Sequence, residues 1–170
     1  TRKNLGIAPE KIIILFSGKL ISLKRPFDLI KAHVKMSGKT TLLFVGNGPL
    51  KPELEKFVKD NGVKDTHFLG FVNQGDIVRY YSAAYIFVLL SDSETWGVVV
   101  NEAMNFGKPI VVSDAVGCGS DLVKQGENGY IFSVGNVNGL INCFNRLSDP
   151  VKRKEFGERS IEIVDGYSYS

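Results

Sequence analysis

Short apolar runs alternate with stretches of helical periodicity along most of the chain. Six runs predict strands, at residues 12–16, 41–45, 67–69, 85–90, 109–113 and 130–132. Apolar positions at helical spacing predict helices at about residues 24–35, from Pro49 onward, and at 75–83, 97–106, 136–147 and 151–165. Because the runs are mostly continuous rather than alternating, the strands should be buried on both faces. The sequence therefore predicts a doubly wound, parallel α/β fold of about six strands with helices on both faces.

Glycine, serine, aspartate and asparagine are concentrated in the segments that directly follow the predicted strands. These segments are residues 18–24, 46–49, 70–73, 91–97 and 114–121. Parallel sheets of this kind bind ligands at the carboxyl ends of their strands. We therefore expect the functional residues to lie in these loops. The helix at 151–165 is expected to lie on the surface, with its natural partner outside the chain.

Two carboxylates, Glu94 and Glu102, flank an apolar run that should begin a helix at Gly97. The first N–H groups of a helix have no internal partners, so this terminus suits an anion or a hydroxyl group. Carboxylates only accept hydrogen bonds, which suits a ribose diol or sugar hydroxyls. We expect both glutamates to face one cleft. The alternative places Glu94 on a solvated loop and Glu102 on an exposed helix face.

Gly18, Lys19 and Lys24 follow the first predicted strand. A glycine at this point lets a ligand approach the backbone, and two lysines beside it are suited to clamping a diphosphate. A solvated loop with ordinary exposed lysines explains the same residues.

Two phosphate-binding motifs are matched only in part. The stretch SGKT at 37–40 lacks the earlier glycine of a P-loop and precedes a strand instead of following one. The stretch GNGPLK at 46–51 has Lys51 where a dinucleotide fingerprint needs its third glycine. A tight turn between strand and helix accounts for Gly46 and Gly48.

Composition narrows the class of protein. A length of 170 residues fits one domain, and the net charge of +3 comes from scattered basic residues rather than from a stripe that would bind nucleic acid. The two cysteines lack CxxC spacing, which favours a reducing compartment over a metal or redox site. The longest apolar run, residues 83–90, is too short to span a bilayer. We interpret the chain, which begins TRKNLG and ends GYSYS, as a piece of a longer protein.

Five motifs occur in a fixed order: GKLISLKRP, VGNGP, FLGFV, LLSDSETWGVVVNEAMNFGKPIVVSDAVGCGSDLV and ENGYIF. Together they resemble the C-terminal, donor-binding domain of retaining GT-B glycosyltransferases, in particular the group 1 family, also called family 4. The resemblance covers residues 12–132. It implies a Rossmann-like fold in which residues 1–170 form one nucleotide-sugar-binding domain, with an N-terminal acceptor-binding domain absent from this chain.

The resemblance implies how the nucleotide of a UDP- or GDP-linked sugar is held. Gly18 would pass close to the donor, and Lys19 and Lys24 would bind its diphosphate. The backbone around Phe71 and Val72 would meet the base.

The resemblance also assigns the sugars of the donor. Glu102 would accept hydrogen bonds from the ribose. Glu94, with the N–H groups of Trp96, Gly97 and Val98, would hold the transferred sugar and the phosphate next to its reacting carbon.

The implied reaction is transfer of a hexose-type sugar to an acceptor, a glycan or a lipid that the sequence does not identify, with retention at the anomeric carbon. Glu94, Lys19 and Lys24 are the catalytic residues that the resemblance implies. Neither a cofactor nor a metal is expected, and the isolated domain should have little turnover. We expect a cytoplasmic protein whose parent is peripheral at the inner face of a membrane. Polysaccharide or lipid-linked glycan synthesis is a common assignment in the family.

Three departures from the family pattern lie near the expected site. Lys19 stands where arginine is frequent, Thr95 and Trp96 replace a Gly-Phe pair, and Cys118 interrupts a glycine pair. Two alternative functions remain open at this point. One is a non-catalytic module that binds nucleotide sugars, and the other is a related GT-B enzyme such as an epimerase.

Overall fold

The computed structural model describes residues 1–95 and 97–168. Within these residues, six parallel strands form one sheet in the order β3-β2-β1-β4-β5-β6. The strands are β1 (Ile12–Ser17), β2 (Thr40–Val45), β3 (Thr66–Gly70), β4 (Ile86–Leu89), β5 (Ile110–Ser113) and β6 (Gly129–Phe132). The predicted doubly wound α/β fold, with its Rossmann-like sheet of six strands, is confirmed.

Seven α-helices connect or follow the strands in the described part of the chain. They are α1 (Pro26–Lys35), α2 (Lys51–Asp60), α3 (Gln74–Ala83), α4 (Val98–Asn105), α5 (Gly119–Leu122), α6 (Val137–Arg146) and α7 (Pro150–Ser168). Most begin and end close to their predicted bounds. The helix expected from Pro49 begins instead at Lys51, with Pro52 in its first turn, where a missing N–H costs little.

The start of α1 differs from the prediction. Lys24, expected as its first residue, lies in a 3-10 turn over Ser22–Lys24, and Arg25 is left-handed with a φ of 50°. Pro26 then opens the helix, because its fixed φ suits the first helical position. The loop after β1 is therefore longer than expected, and Lys24 extends from it at the sheet edge.

The core has two halves, one on each face of the sheet. Successive residues of β1 alternate between them: Ile14 and Phe16 pack on one face, and Ile13 and Leu15 on the other. Helices α1, α2 and α6 cover the first face, and α3, α4 and α5 cover the second. Every residue of β1 is buried, which explains why its sequence is continuously apolar up to its last residue.

The last helix has its partner inside the chain, which corrects the expectation of an external one. Phe156 packs into the first half of the core, and Ile163 and Val164 pack into the second. At Gly157 the helix backbone lies so close to the backbone of Gly107, after α4, that a methyl group would overlap the Gly107 carbonyl oxygen. The helix α7 therefore crosses from one face of the sheet to the other.

The N-terminal segment is tied to the same helix through one aromatic ring. The guanidinium groups of Arg2 and Arg153 lie 4.9 and 5.0 Å from the centroid of the Tyr85 ring. Contacts of this kind between a cation and an aromatic face are attractive. Residues before β1 and residues of α7 are thereby held at a common point beside β4.

We expect Gly157→Ala to lower the free energy of unfolding by about 2 kcal/mol, because the added methyl group has no space against Gly107. This corresponds to a fall in melting temperature of about 4–8 °C for a domain of this size. Gly166→Ala is the matched control on the same helix. No described atom lies near its added methyl group, so helix propensity should raise stability by about 0.5 kcal/mol. Equal melting temperatures for the two variants, measured by circular dichroism, would contradict the close helix contact.

Candidate functional site

The strand order reverses between β1 and β4. The chain leaves β1 toward β2 on one side and leaves β4 toward β5 on the other. The loops that follow these two neighbouring strands therefore diverge and leave a crevice at their carboxyl ends. Most of the candidate residues predicted from the sequence belong to the loops that border this crevice.

An ion pair between Lys24 and Glu94 joins the loop after β1 to the loop after β4. The Nζ atom of Lys24 donates to Oε2 of Glu94, and Ser91 donates to the same oxygen at 3.2 Å. The side chains of Lys24 and Glu94 are only 18% and 23% exposed. The alternative interpretations described Lys24 and Glu94 as ordinary solvated side chains. The structure instead shows both as largely buried and paired with each other.

Glu102 lies one turn into α4 and lines a separate cleft of about 490 Å³. Tyr81, from α3, donates a hydrogen bond of 2.9 Å to its Oε2 atom. The other residues that line the cleft are Ser17, Phe71, Val72, Gln74, Ile77, Val99 and Phe106. A volume of this size suits a small organic ligand, and apolar walls with a few polar groups are typical of such sites.

The two glutamates do not line one common cleft, which corrects that expectation. Glu94 is paired with Lys24, whereas Glu102 is paired with Tyr81. The end of β1 connects the two places: Ser17 lines the cleft of Glu102, and the next residue, Gly18, approaches the side chain of Lys24. A ligand that extends past the end of β1 would contact both.

Helix α4 presents its N-terminus at the crevice. Gly97 precedes it with a φ of 84°, a conformation that a residue with a Cβ atom adopts rarely. Within the described residues no side chain caps this end. The N–H group of Val100 donates to the Gly97 carbonyl oxygen at 2.9 Å, which leaves those of Val98 and Val99 for a ligand oxygen, with the positive end of the helix dipole behind them.

The loop after β5 holds the loop of Glu94 in place. Gly117 donates its N–H to the Glu94 carbonyl oxygen at 2.7 Å, and Glu94 donates its N–H to Ala115 at 3.3 Å. A side chain at Gly117 would overlap the carbonyl oxygen of Thr95. Cys118, the departure from the family's glycine pair, is buried here, and burial raises the pKa of its thiol to about 11. Its thiol fills space between the loops and remains protonated.

Arg25 joins the same two loops a short distance from Lys24. It donates to Asp28 at 2.6 Å and to Asp92 at 2.9 Å. The two carboxylates, Asp28 foremost, raise the pKa of the Arg25 guanidinium above its usual value. Sequence reasoning missed this residue because the left-handed turn that aims it has no glycine or asparagine to mark it.

The remaining predicted residues differ in their surroundings. Lys19 is exposed at the loop after β1. Phe71 is 79% exposed at the mouth of the Glu102 cleft, and Val72 lines the cleft beside it. Trp96, predicted to contribute an N–H group, lies outside the described residues. Tyr81 and Ser91 were missed, because a tyrosine before a strand and a serine after one carry no distinctive sequence signal.

The glycines of the GNGP stretch have a packing role. Side chains at Gly46 and Gly48 would overlap the carbonyl oxygens of Gly18 and Leu20 in the neighbouring loop. The loops after β1 and β2 therefore lie backbone to backbone. The packing of these two loops accounts for the two glycines of GNGP, so their likeness to a dinucleotide-binding motif needs no nucleotide contact.

Two further properties concern ligands and membranes. Among the described residues, no group of three or more histidine, cysteine, aspartate or glutamate side chains is arranged to hold a metal ion. No helix in the described part of the chain has both the length and the apolar character needed to cross a bilayer.

Comparison with known proteins agrees with the fold and the motifs. The chain is 29% identical over 165 residues to the sulfoquinovosyl transferase SQD2 of Arabidopsis thaliana, covering 95% of this chain and 31% of that protein. It is 27% identical to Anabaena HepE, solved in complex with UDP-glucose, with a TM-score of 0.87 over 97% of this chain and 46% of HepE. The chain thus spans less than half the length of these relatives.

The C-terminal domain of the group 1 glycosyl transferase LpcC from Francisella tularensis has the same fold. It superimposes with a TM-score of 0.84 and 24% identity, over 98% of this chain and 90% of that domain. The family model described as "Glycosyl transferases group 1" matches residues 1–162. With a match over nearly its whole length, and with the six-stranded sheet of GT-B enzymes, this chain belongs to the group 1 glycosyltransferase family.

Proposed function

We propose that this chain is the donor-binding half of a glycosyltransferase that transfers a sugar from a UDP- or GDP-linked donor with retention of anomeric configuration. The observation that carries the proposal is the Lys24–Glu94 pair beside the Glu102 cleft at the reversal of strand order. The complex of HepE with UDP-glucose supports it, because that relative is similar over almost all of this chain. Retention is inferred from the family resemblance.

The diphosphate of the donor would lie between the end of β1 and the start of α4. Gly18 leaves space there, Lys24 and Lys19 supply positive charge, and the uncapped start of α4 would contribute the N–H groups of Gly97 and Val98. Negative charge develops on the leaving diphosphate as the bond to the sugar breaks. Fixed positive groups at that position stabilise the transition state more than the ground state.

The Lys24–Glu94 pair exchanges partners when the donor binds. The diphosphate competes with Glu94 for the Lys24 ammonium group. Glu94 then keeps only the hydrogen bond from Ser91, and a half-buried carboxylate that has lost its charged donor gains from replacement hydrogen bonds. The hydroxyl groups of the transferred sugar supply them, which makes Glu94 the residue that orients this sugar. Trp96, which precedes Gly97 in the sequence, stays a predicted contact.

The nucleoside occupies the Glu102 cleft. Glu102 accepts hydrogen bonds from the ribose, and Val72 borders the base. Phe71, exposed at the mouth, covers one face of the base. Stacking on an aromatic ring tolerates different bases, which is consistent with either uracil or guanine.

The acceptor site and full turnover require a second, N-terminal domain in the parent protein. The chain spans 31% of SQD2 and 46% of HepE, which leaves room in such relatives for another domain of similar size. We infer that no metal or cofactor takes part in binding the donor. Both cysteines are buried and free, consistent with a cytoplasmic parent, peripheral to a membrane or not.

Lys24→Met should weaken binding of UDP and GDP about tenfold or more, because a charged contact to the diphosphate is lost. The loss should be smaller for UMP and GMP, which lack the outer phosphate. Titration calorimetry measures both, and Lys31→Met, at an exposed position on α1, is the matched control for charge. An equal loss for diphosphates and monophosphates would contradict the assignment of Lys24.

Phe71→Ala should weaken UDP and GDP binding by about five- to tenfold, since base stacking on an aromatic ring contributes about 1–3 kcal/mol. Folding stability should be unchanged, because the side chain is 79% exposed. Val78→Ala, at an exposed apolar position on α3, is the control. Binding of inorganic pyrophosphate should be the same in all three proteins. If Phe71→Ala lowered the affinity for pyrophosphate as much as that for UDP, Phe71 would act on the diphosphate, which would contradict its assignment to the base.

Transfer itself is tested on the parent protein with labelled nucleotide sugars. A transferase releases the nucleoside diphosphate and moves the label to an acceptor. An epimerase instead changes the configuration of the sugar, and a binding module leaves the donor intact. Only the first result supports the proposed reaction.

A further inference from the structure

Tyr81 is a buried residue at the proposed site to which the family resemblance gave no role. It is 1% exposed, lies near the end of α3, and directs its hydroxyl group into the Glu102 cleft. That hydroxyl donates to Oε2 of Glu102 at 2.9 Å. The hydroxyl group of Ser17, at the end of β1, also interacts with it.

The position of the hydroxyl group is fixed by packing on the ring. Phe106, directly after α4, stacks on Tyr81 with centroids 5.1 Å apart and planes only 2° from parallel. Phe87, in β4, stacks less closely, with centroids 6.0 Å apart and an angle of 29°. The ring is therefore held by both the strand and the helix that border the crevice. Because the ring cannot move freely, the position of the Tyr81 hydroxyl oxygen is restricted as well.

The hydroxyl group also remains a donor at every physiological pH. Burial, reinforced by the neighbouring Glu102 carboxylate, raises the pKa of Tyr81 well above its usual value. A neutral tyrosine has one proton to donate, and an ionised glutamate only accepts. The direction of the hydrogen bond is therefore fixed.

Glu102 would be poorly defined without this contact. A glutamate side chain has several rotatable bonds, and ordering them on binding opposes affinity. The contact from Tyr81 holds one carboxylate oxygen in advance, and Oε1, which accepts no hydrogen bond from the described residues, can receive those of a ligand. Preorganisation of this kind raises affinity without a new contact to the ligand.

We propose that Tyr81 is a positioning residue for ribose recognition, which acts by fixing the Glu102 carboxylate through its hydroxyl group. This inference rests on the proposed function, because it requires a nucleotide whose ribose lies in the cleft. Tyr81 itself need not touch the ribose. Removal of the Tyr81 hydroxyl group should therefore weaken only those ligands whose hydroxyl groups donate hydrogen bonds to Glu102.

The test uses Tyr81→Phe, which keeps the ring and its stacking and removes only the hydroxyl group. UDP and GDP are each titrated beside their 2′,3′-dideoxy analogues, which lack both ribose hydroxyl groups. We expect Tyr81→Phe to weaken UDP or GDP about five- to tenfold and to change the affinity of the dideoxy analogue by less than about twofold. Glu102→Gln should show the same pattern, and the double variant should lose little more than either single variant.

A structural role for Tyr81 predicts a different result. If the hydroxyl group only stabilised the fold, the normal and dideoxy nucleotides would lose affinity equally, and the melting temperature would fall with them. That outcome, or no loss with either nucleotide, would overturn the positioning role. A wild-type protein that binds neither UDP nor GDP would overturn the proposed function itself, and the inference with it. If Tyr81→Phe failed to fold, crystal structures of the wild-type domain with and without UDP would replace it: we expect the same Glu102 rotamer and the same Tyr81 contact in both, and a Glu102 carboxylate that leaves Tyr81 on binding would overturn the positioning role.

Discussion

The burial of β1 on both faces, between β2 and β4, is the constraint on which the site depends. Because β1 is paired on both sides and covered above and below, its last residue has a fixed position. The chain can leave it only into the crevice between diverging loops. Ser17 and Gly18, the residues at this exit, adjoin both the Glu102 cleft and the Lys24 side chain. The site is built around the end of one strand.

Close backbone packing then limits how the loops can move. The loop after β2 lies against the loop after β1, and the loop after β5 lies against the loop that carries Glu94. Side chains at Gly46 or Gly117 would overlap the neighbouring backbone. Ion pairs from Lys24 and Arg25 connect the loops after β1 and β4. The charged groups of the site are thus attached to backbone that is itself held in place.

The sequence predicted the fold well and the site in part. Continuous apolar strands followed by polar loops are a strong local signal, so the sheet, its helices and the positions of Lys24, Glu94 and Glu102 could be read from it. Pairing between distant segments has no such signal. The partners of Glu94 and Glu102, namely Lys24 and Tyr81, lie 70 and 21 residues away in the chain. The expectation of a single cleft for both glutamates was wrong for this reason.

The crystal structure of this domain with UDP or GDP bound is the most direct test of the central claim, that one ligand extends past the end of β1 and contacts both places. We predict that the diphosphate lies at the N-terminus of α4, within hydrogen-bonding distance of Lys24, and that the Lys24–Glu94 pair is broken. We also predict that the ribose lies against Oε1 of Glu102, while Tyr81 keeps its contact with Oε2. A nucleotide bound at another edge of the sheet, or bound here with the ion pair intact, would contradict the account.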